Sequence, residues 1–92
     1  MKKTKIVVVG SFNADMTALT PKFPVGGETI MGKSFTVGAG GKGTNQAISA
    51  ANCGSDVCMI SKIGTDVLSD IARKVFLGAG ISMDTVFGTD EA

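Results

Sequence analysis

Apolar residues along this chain fall into two alternating regimes, short continuous runs and helix-spaced stripes. "KIVVVGS", Lys5–Ser11, is an unbroken β-branched run closed by Gly10, the pattern of a strand buried on both faces of a parallel sheet. "ADMTALTPKFPVGGETIMGKSFTVGAG" has partial alternation around Met16–Leu19 and Ile30–Val37, interrupted by Pro21, Pro24 and Gly26-Gly27. That spacing predicts two extended segments joined by a loop, a small antiparallel excursion outside the main sheet. "GTNQAISAAN", Gly43–Asn52, favours helix, with small Ala47, Ala50 and Ala51 for close packing and Gly54 to end it. "DVCMISKIG" returns to a buried strand. "TDVLSDIARKVFLGAG" reads as an amphipathic helix with a stripe of Val67, Leu68, Ile71, Val75 and Phe76. Thr65 or Asp66 should cap it and Gly78 or Gly80 should stop it; "ISMDTVFG" then starts another strand.

The order strand, excursion, helix, strand, helix, strand is a βαβαβ start to a doubly wound, mostly parallel α/β sheet. Three strands and two crossover helices should leave sheet edges and one sheet face uncovered. The expectation is therefore that residues 1–92 are the amino-terminal portion of a single α/β domain in a longer protein, with the excursion falling within 15–38.

Composition narrows the chemistry. A 43% hydrophobic, 18% charged chain of net charge +1 suits a soluble domain and gives no basic patch for nucleic acid or a membrane surface. Absence of His leaves proton transfer to carboxylates or lysines and removes the commonest metal ligand. Cys53 and Cys58 have a poor zinc spacing and read as small buried residues in a reducing cytosol. The apolar run Ile6–Val9 is short of the ~7–15 residues of a signal peptide core, so the expected location is cytoplasmic.

The candidate chemistry lies in "VGAGGKGTNQA" and "SFNAD". A phosphate-binding P-loop fails, because Gly43 follows Gly41-Lys42 and Thr36 holds the place of the first glycine. Gly38, Gly40 and Gly43 fit a dinucleotide fingerprint literally. They sit far beyond the first strand, however, and the second strand ends in Ser61-Lys62 rather than an acid. What remains is a helix start whose free N–H groups and dipole favour negative charge, with Lys42 beside it and Asn45 on the same side of the first turn. A glycine turn with Lys42 in solvent and Asn45 as a cap is the plainer alternative. Asn13 and Asp15 stand two apart where the first strand leaves the sheet, so in extended chain both side chains face one way. An amide beside a carboxylate suits neighbouring hydroxyls of a sugar, although both types are also ordinary turn residues.

The N-x-D after the first strand, P-x-x-G-E-T, G-G-K-G-x-N-Q-A and K-I-G-x-D together resemble the amino-terminal region of the ribokinase branch of the PfkB-type carbohydrate kinase family. Thr44 stands where Ala is frequent. The resemblance implies a ribokinase-like fold and transfer of the ATP γ-phosphoryl group to the terminal hydroxyl of D-ribose. It assigns sugar hydroxyls to Asn13, Asp15 and Asn45, backbone in the same pocket to Gly41, and the reacting oxygen and phosphoryl charge to Lys42. It further implies that the excursion is a lid that excludes water and pairs with its twin in a homodimer. The general base Asp, the nucleotide pocket, Mg2+ and a monovalent cation such as K+ belong to a carboxy-terminal part, so the 92-residue piece alone should be inactive. Competing expectations are a kinase for fructose, another pentose or a nucleoside, a dinucleotide-binding module, and a non-catalytic sugar-binding protein.

Overall fold

The computed structural model describes residues Lys3–Glu91. Five strands and two helices follow in the order β1 (Lys5–Val9), β2 (Asn13–Leu19), β3 (Ser34–Gly40), α1 (Lys42–Asn52), β4 (Asp56–Gly64), α2 (Val67–Gly78) and β5 (Val86–Thr89). They form a parallel three-stranded sheet in the order β1-β4-β5 and a separate antiparallel hairpin of β2 and β3.

The parallel register pairs Ile6 with Val57 and Val8 with Met59, so these side chains share one sheet face. Both crossovers step the same way across the sheet, and right-handed connections of that kind lay successive helices on the same face. Val8, Val57, Met59 and Ile63 accordingly form one core with Ala47 of α1 and Ala72 and Phe76 of α2. Burial of Phe76 or Met59 is worth about 1.5–3 kcal/mol each.

The opposite face is bare. Val7 is 60% and Val9 76% exposed, with Ile60 and Phe87 also open on that side. The continuous β-branched run of β1 therefore encodes a strand with only one covered face among the described residues, as three strands and two helices require. β5 is shorter than the sequence suggests. Ile81 is buried and Ser82 makes only an isolated bridge to Cys58, so the strand proper starts at Val86.

The hairpin is shifted toward its root relative to its hydrophobic pattern: residues 30–33 are not strand, and both strands extend past the expected 15–38 limits. β2 begins at Asn13 and β3 runs through Gly38 to Gly40, so half of the glycine-rich stretch is strand rather than loop. Its two faces differ in chemistry. Ala14, Met16 and Ala18 pair with Ala39, Val37 and Phe35 on one face, while Asn13, Asp15 and Thr17 pair with Gly40, Gly38 and Thr36 on the other. The connecting segment is braced by a Lys22–Glu28 ion pair at 3.5 Å and by the Val25 N–H donating to Glu28.

Two expectations about side chains are corrected. The buried stripe of α2 is Ser69, Ala72 and Phe76, whereas Val67, at the helix start, is 75% exposed. Ser69 can be buried because its hydroxyl donates to the Asp66 carbonyl. Nor are the cysteines both core residues: Cys53 is exposed at the end of α1, and Cys58 is half-buried against the Thr85 hydroxyl.

Candidate functional site

The site is assembled where β1, the root of the hairpin and the start of α1 meet. Gly10 and Gly43 make the meeting possible. A β-carbon on either would stand 2.8 Å from the other's Cα, so the exit of β1 and the first turn of α1 touch through backbone alone. Gly41, the N-cap of α1, has φ 97° and ψ 140°, and a β-carbon there would lie 2.5 Å from the Ser11 carbonyl oxygen. Thr44, fully buried, donates to that same oxygen twice, from its N–H at 3.3 Å and its hydroxyl at 3.2 Å. The segment carrying Asn13 and Asp15 is thus locked to the segment carrying Lys42 and Asn45.

Asn13 and Asp15 share the polar face of the hairpin, as the two-residue spacing predicts. Their cross-strand partners are Gly40 and Gly38, which put no side chain beside them. A β-carbon on Gly40 would stand 3.3 Å from Asp15 Cβ, and one on Gly38 would meet nothing within 4 Å. The result is a glycine floor with an amide and a carboxylate standing over it. Gly40 is also the second residue before Lys42, so the Asp15 side chain lies against the chain that leads directly into α1.

The start of α1 is chemically unusual. No side chain caps it, no acidic residue lies in its first turn, and its first residue is Lys42. Asn45 is not a cap, as the plainer alternative would have it; its N–H makes the first helical bond to Gly41 at 3.0 Å and its side chain is exposed. The N–H groups of Lys42 and Gly43 find no acceptor among the described residues, whereas that of Thr44 is taken by Ser11. The dipole, the unpaired N–H of Lys42 and the exposed Lys42 side chain therefore belong to one helix start, with Gly43 buried beside them. Asp15 and Lys42 are both exposed and neither takes an ionic partner among the described residues, where the single ion pair is Lys22–Glu28. The arrangement offers a carboxylate and amides for hydroxyl groups, next to donors and positive charge for an anion.

A concavity of about 280 Å³ opens beside the hairpin root, lined by Phe12, Asn13, Lys62, Asp66 and Ser69 among others. Of the candidate residues only Asn13 reaches it. The Asp66 carboxylate is already engaged in capping α2, accepting from the Ser69 N–H at 3.1 Å, which confirms its helix-cap reading. The glycine floor, with uncommitted groups of both kinds, is chemically the better candidate. No group of three or more His, Cys, Asp or Glu side chains among the described residues is placed to hold a metal. No helix among them is long and apolar enough to cross a membrane.

Sequence reasoning missed three contributors: Thr44, the Gly10–Gly43 contact, and the glycines facing Asn13 and Asp15. The last had a signal, since alternate glycines opposite an N-x-D pair fit a ladder as well as a loop.

Comparison with known proteins bears on the family and the fold. The profile of the pfkB family carbohydrate kinases matches residues 3–91. The ribokinase of Haemophilus influenzae is 42% identical over 81 residues, covering 88% of this chain and 26% of that protein. The deoxyribokinase of Salmonella typhi is 43% identical over 65 residues, covering 71% of this chain and 21% of that protein. The solved structure of Arabidopsis thaliana ribokinase complexed with ribose and ATP matches with a TM-score of 0.80 and 34% identity, over 96% of this chain and 28% of that one. The chain spans about a quarter of the length of these relatives.

Proposed function

The chain belongs to the pfkB family of carbohydrate kinases, and from that premise we propose that it forms the sugar-holding part of an ATP-dependent kinase acting on D-ribose. The product is ribose 5-phosphate, made by transfer of the γ-phosphoryl group to the terminal hydroxyl. The observation that carries this reading is the placing of Asn13 and Asp15 over a glycine floor that leads straight into Lys42.

Asn13 and Asp15 hold ring hydroxyls, the carboxylate accepting two hydrogen bonds and the amide both donating and accepting. Asn45 holds a further hydroxyl, and Gly41 lends backbone to the same pocket. Lys42 approaches the reacting oxygen and neutralises charge on the phosphoryl group in transit, helped by the free N–H groups and dipole of α1. Phosphoryl transfer asks chiefly for such positioning and charge neutralisation, which these residues can supply. ATP, with Mg2+ and a monovalent cation such as K+, is the phosphoryl donor and charge partner. In this reading, as the family resemblance implies, the residues that bind those ions and the general base Asp belong to a carboxy-terminal part of the full-length protein. The 92-residue chain alone is then inactive.

The hairpin serves as a lid, its polar face toward the sugar and its apolar face, with Met16, Phe35 and Val37 exposed, toward the hairpin of a second copy. We place the protein in the cytoplasm, where ATP and free sugar meet. A deoxyribokinase among the relatives keeps another sugar as the nearest rival, since hydroxyl-holding residues alone do not fix the ring. The test is ATP-dependent phosphorylation of D-ribose, deoxyribose, fructose and a nucleoside by the full-length protein. D-ribose should give the highest kcat/KM, and a higher value for any other member would overturn the ribose assignment.

A further inference from the structure

Thr44 is fully buried at the third position of α1, yet its hydroxyl does not bond back into its own helix. It reaches instead to the Ser11 carbonyl, 33 residues earlier, at 3.2 Å, beside the bond from its own N–H at 3.3 Å. Ser11 lies between Gly10, which touches Gly43, and Asn13, where the hairpin begins. Ser11's carbonyl also sits under Gly41, where no β-carbon would fit. One peptide oxygen thereby lies close against Gly41 and accepts both donors of Thr44.

We propose that Thr44 is a positioning residue for the sugar: its hydroxyl fixes the exit of β1, and with it the height of Asn13 and Asp15 relative to Lys42. This rests on the sugar-kinase reading given above. A residue without a hydroxyl at position 44 keeps the N–H bond but loses the second donor, so Ser11 can rock about a single weak contact. Losing one neutral hydrogen bond of this kind shifts an equilibrium by about fivefold. Because Asn13 and Asp15 hang two and four residues beyond the pinned carbonyl, the loosening reaches the sugar and not the nucleotide.

The test uses the full-length protein carrying Thr44→Val, which keeps the shape without the donor, Thr44→Ala, and Thr44→Ser, which keeps the donor. The expected result is a rise of about fivefold in sugar KM for the Val and Ala variants, with ATP KM within about twofold of the parent, and rescue by Ser. Equal KM values in all three, or sugar and ATP KM rising together, would overturn the role; if the Val variant does not fold, the Ala–Ser pair decides. Should the parent phosphorylate no sugar, the functional reading fails, and amide exchange at Asn13 and Asp15 then judges the clamp separately. Exchange about fivefold faster in the Val or Ala variant than in Ser supports it, and equal exchange overturns it.

Discussion

The two helices of this chain begin in opposite ways. α2 starts as an isolated helix would choose: Asp66 caps it by accepting from the Ser69 N–H, and Asp70 in the first turn complements the dipole. α1 starts with a glycine in a conformation other residues avoid, has no side-chain cap, and places Lys42 at its positive end. Every local preference that α2 obeys, α1 violates. Its stability at that point comes from elsewhere, through Gly43 packed on Gly10 and Thr44 bonded to Ser11. A helix start built against its own propensity and held by tertiary contact keeps donors and positive charge available for a partner.

Substitutions can break that contrast, the strongest first. Gly41→Ala should cost more than about 4 kcal/mol, since the new β-carbon meets a backbone oxygen and the φ is unfavourable. Chemical unfolding of the full-length protein measures it, and a variant of parental stability would contradict the geometry. Lys42→Ala should lower kcat by about 10²–10³-fold while leaving stability equal or raising it by about 0.3–1 kcal/mol, because a cation at a helix start opposes the dipole. Asp15→Ala should raise sugar KM by about ten- to a hundredfold, in line with about 1.5–3 kcal/mol for bonds to a charged group, with little change in melting temperature because Asp15 is exposed. Asp66→Ala reverses the pattern, costing about 1 kcal/mol of stability with sugar KM unaltered. Smallest of all, Gly78→Ala in the last turn of α2, where a β-carbon meets nothing, should stabilise by about 0.5–1 kcal/mol.

How much of this was legible in the sequence follows the same division. β4 and the Asp66 cap could be read almost to the residue, because a short, mostly apolar run bounded by Gly54 and Gly64 and an Asp before an apolar stripe are signals carried by neighbours in sequence. The pairing of Asn13 with Asp15 on one face followed from strand periodicity alone. What could not be read depended on partners distant in the chain. Gly38 and Gly40 look like loop until the ladder sets them opposite Asp15 and Asn13. Val67 looks like core until α2 is seen to turn Ser69 and Ala72 to the sheet instead. Thr44 looks like a minor exchange for alanine until its hydroxyl finds Ser11.

Sugar binding in the proposed function falls to a single site between the hairpin root and the mouth of α1. The most direct measurement is a crystal structure of the full-length protein with D-ribose bound. It should show the ring over Gly38 and Gly40, hydroxyls bonded to the Asn13 amide and the Asp15 carboxylate, and the terminal hydroxyl facing Lys42 Nζ. Sugar seated instead in the cleft between Phe12, Lys62 and Asp66, or Asp15 and Lys42 turned to opposite surfaces, would contradict it.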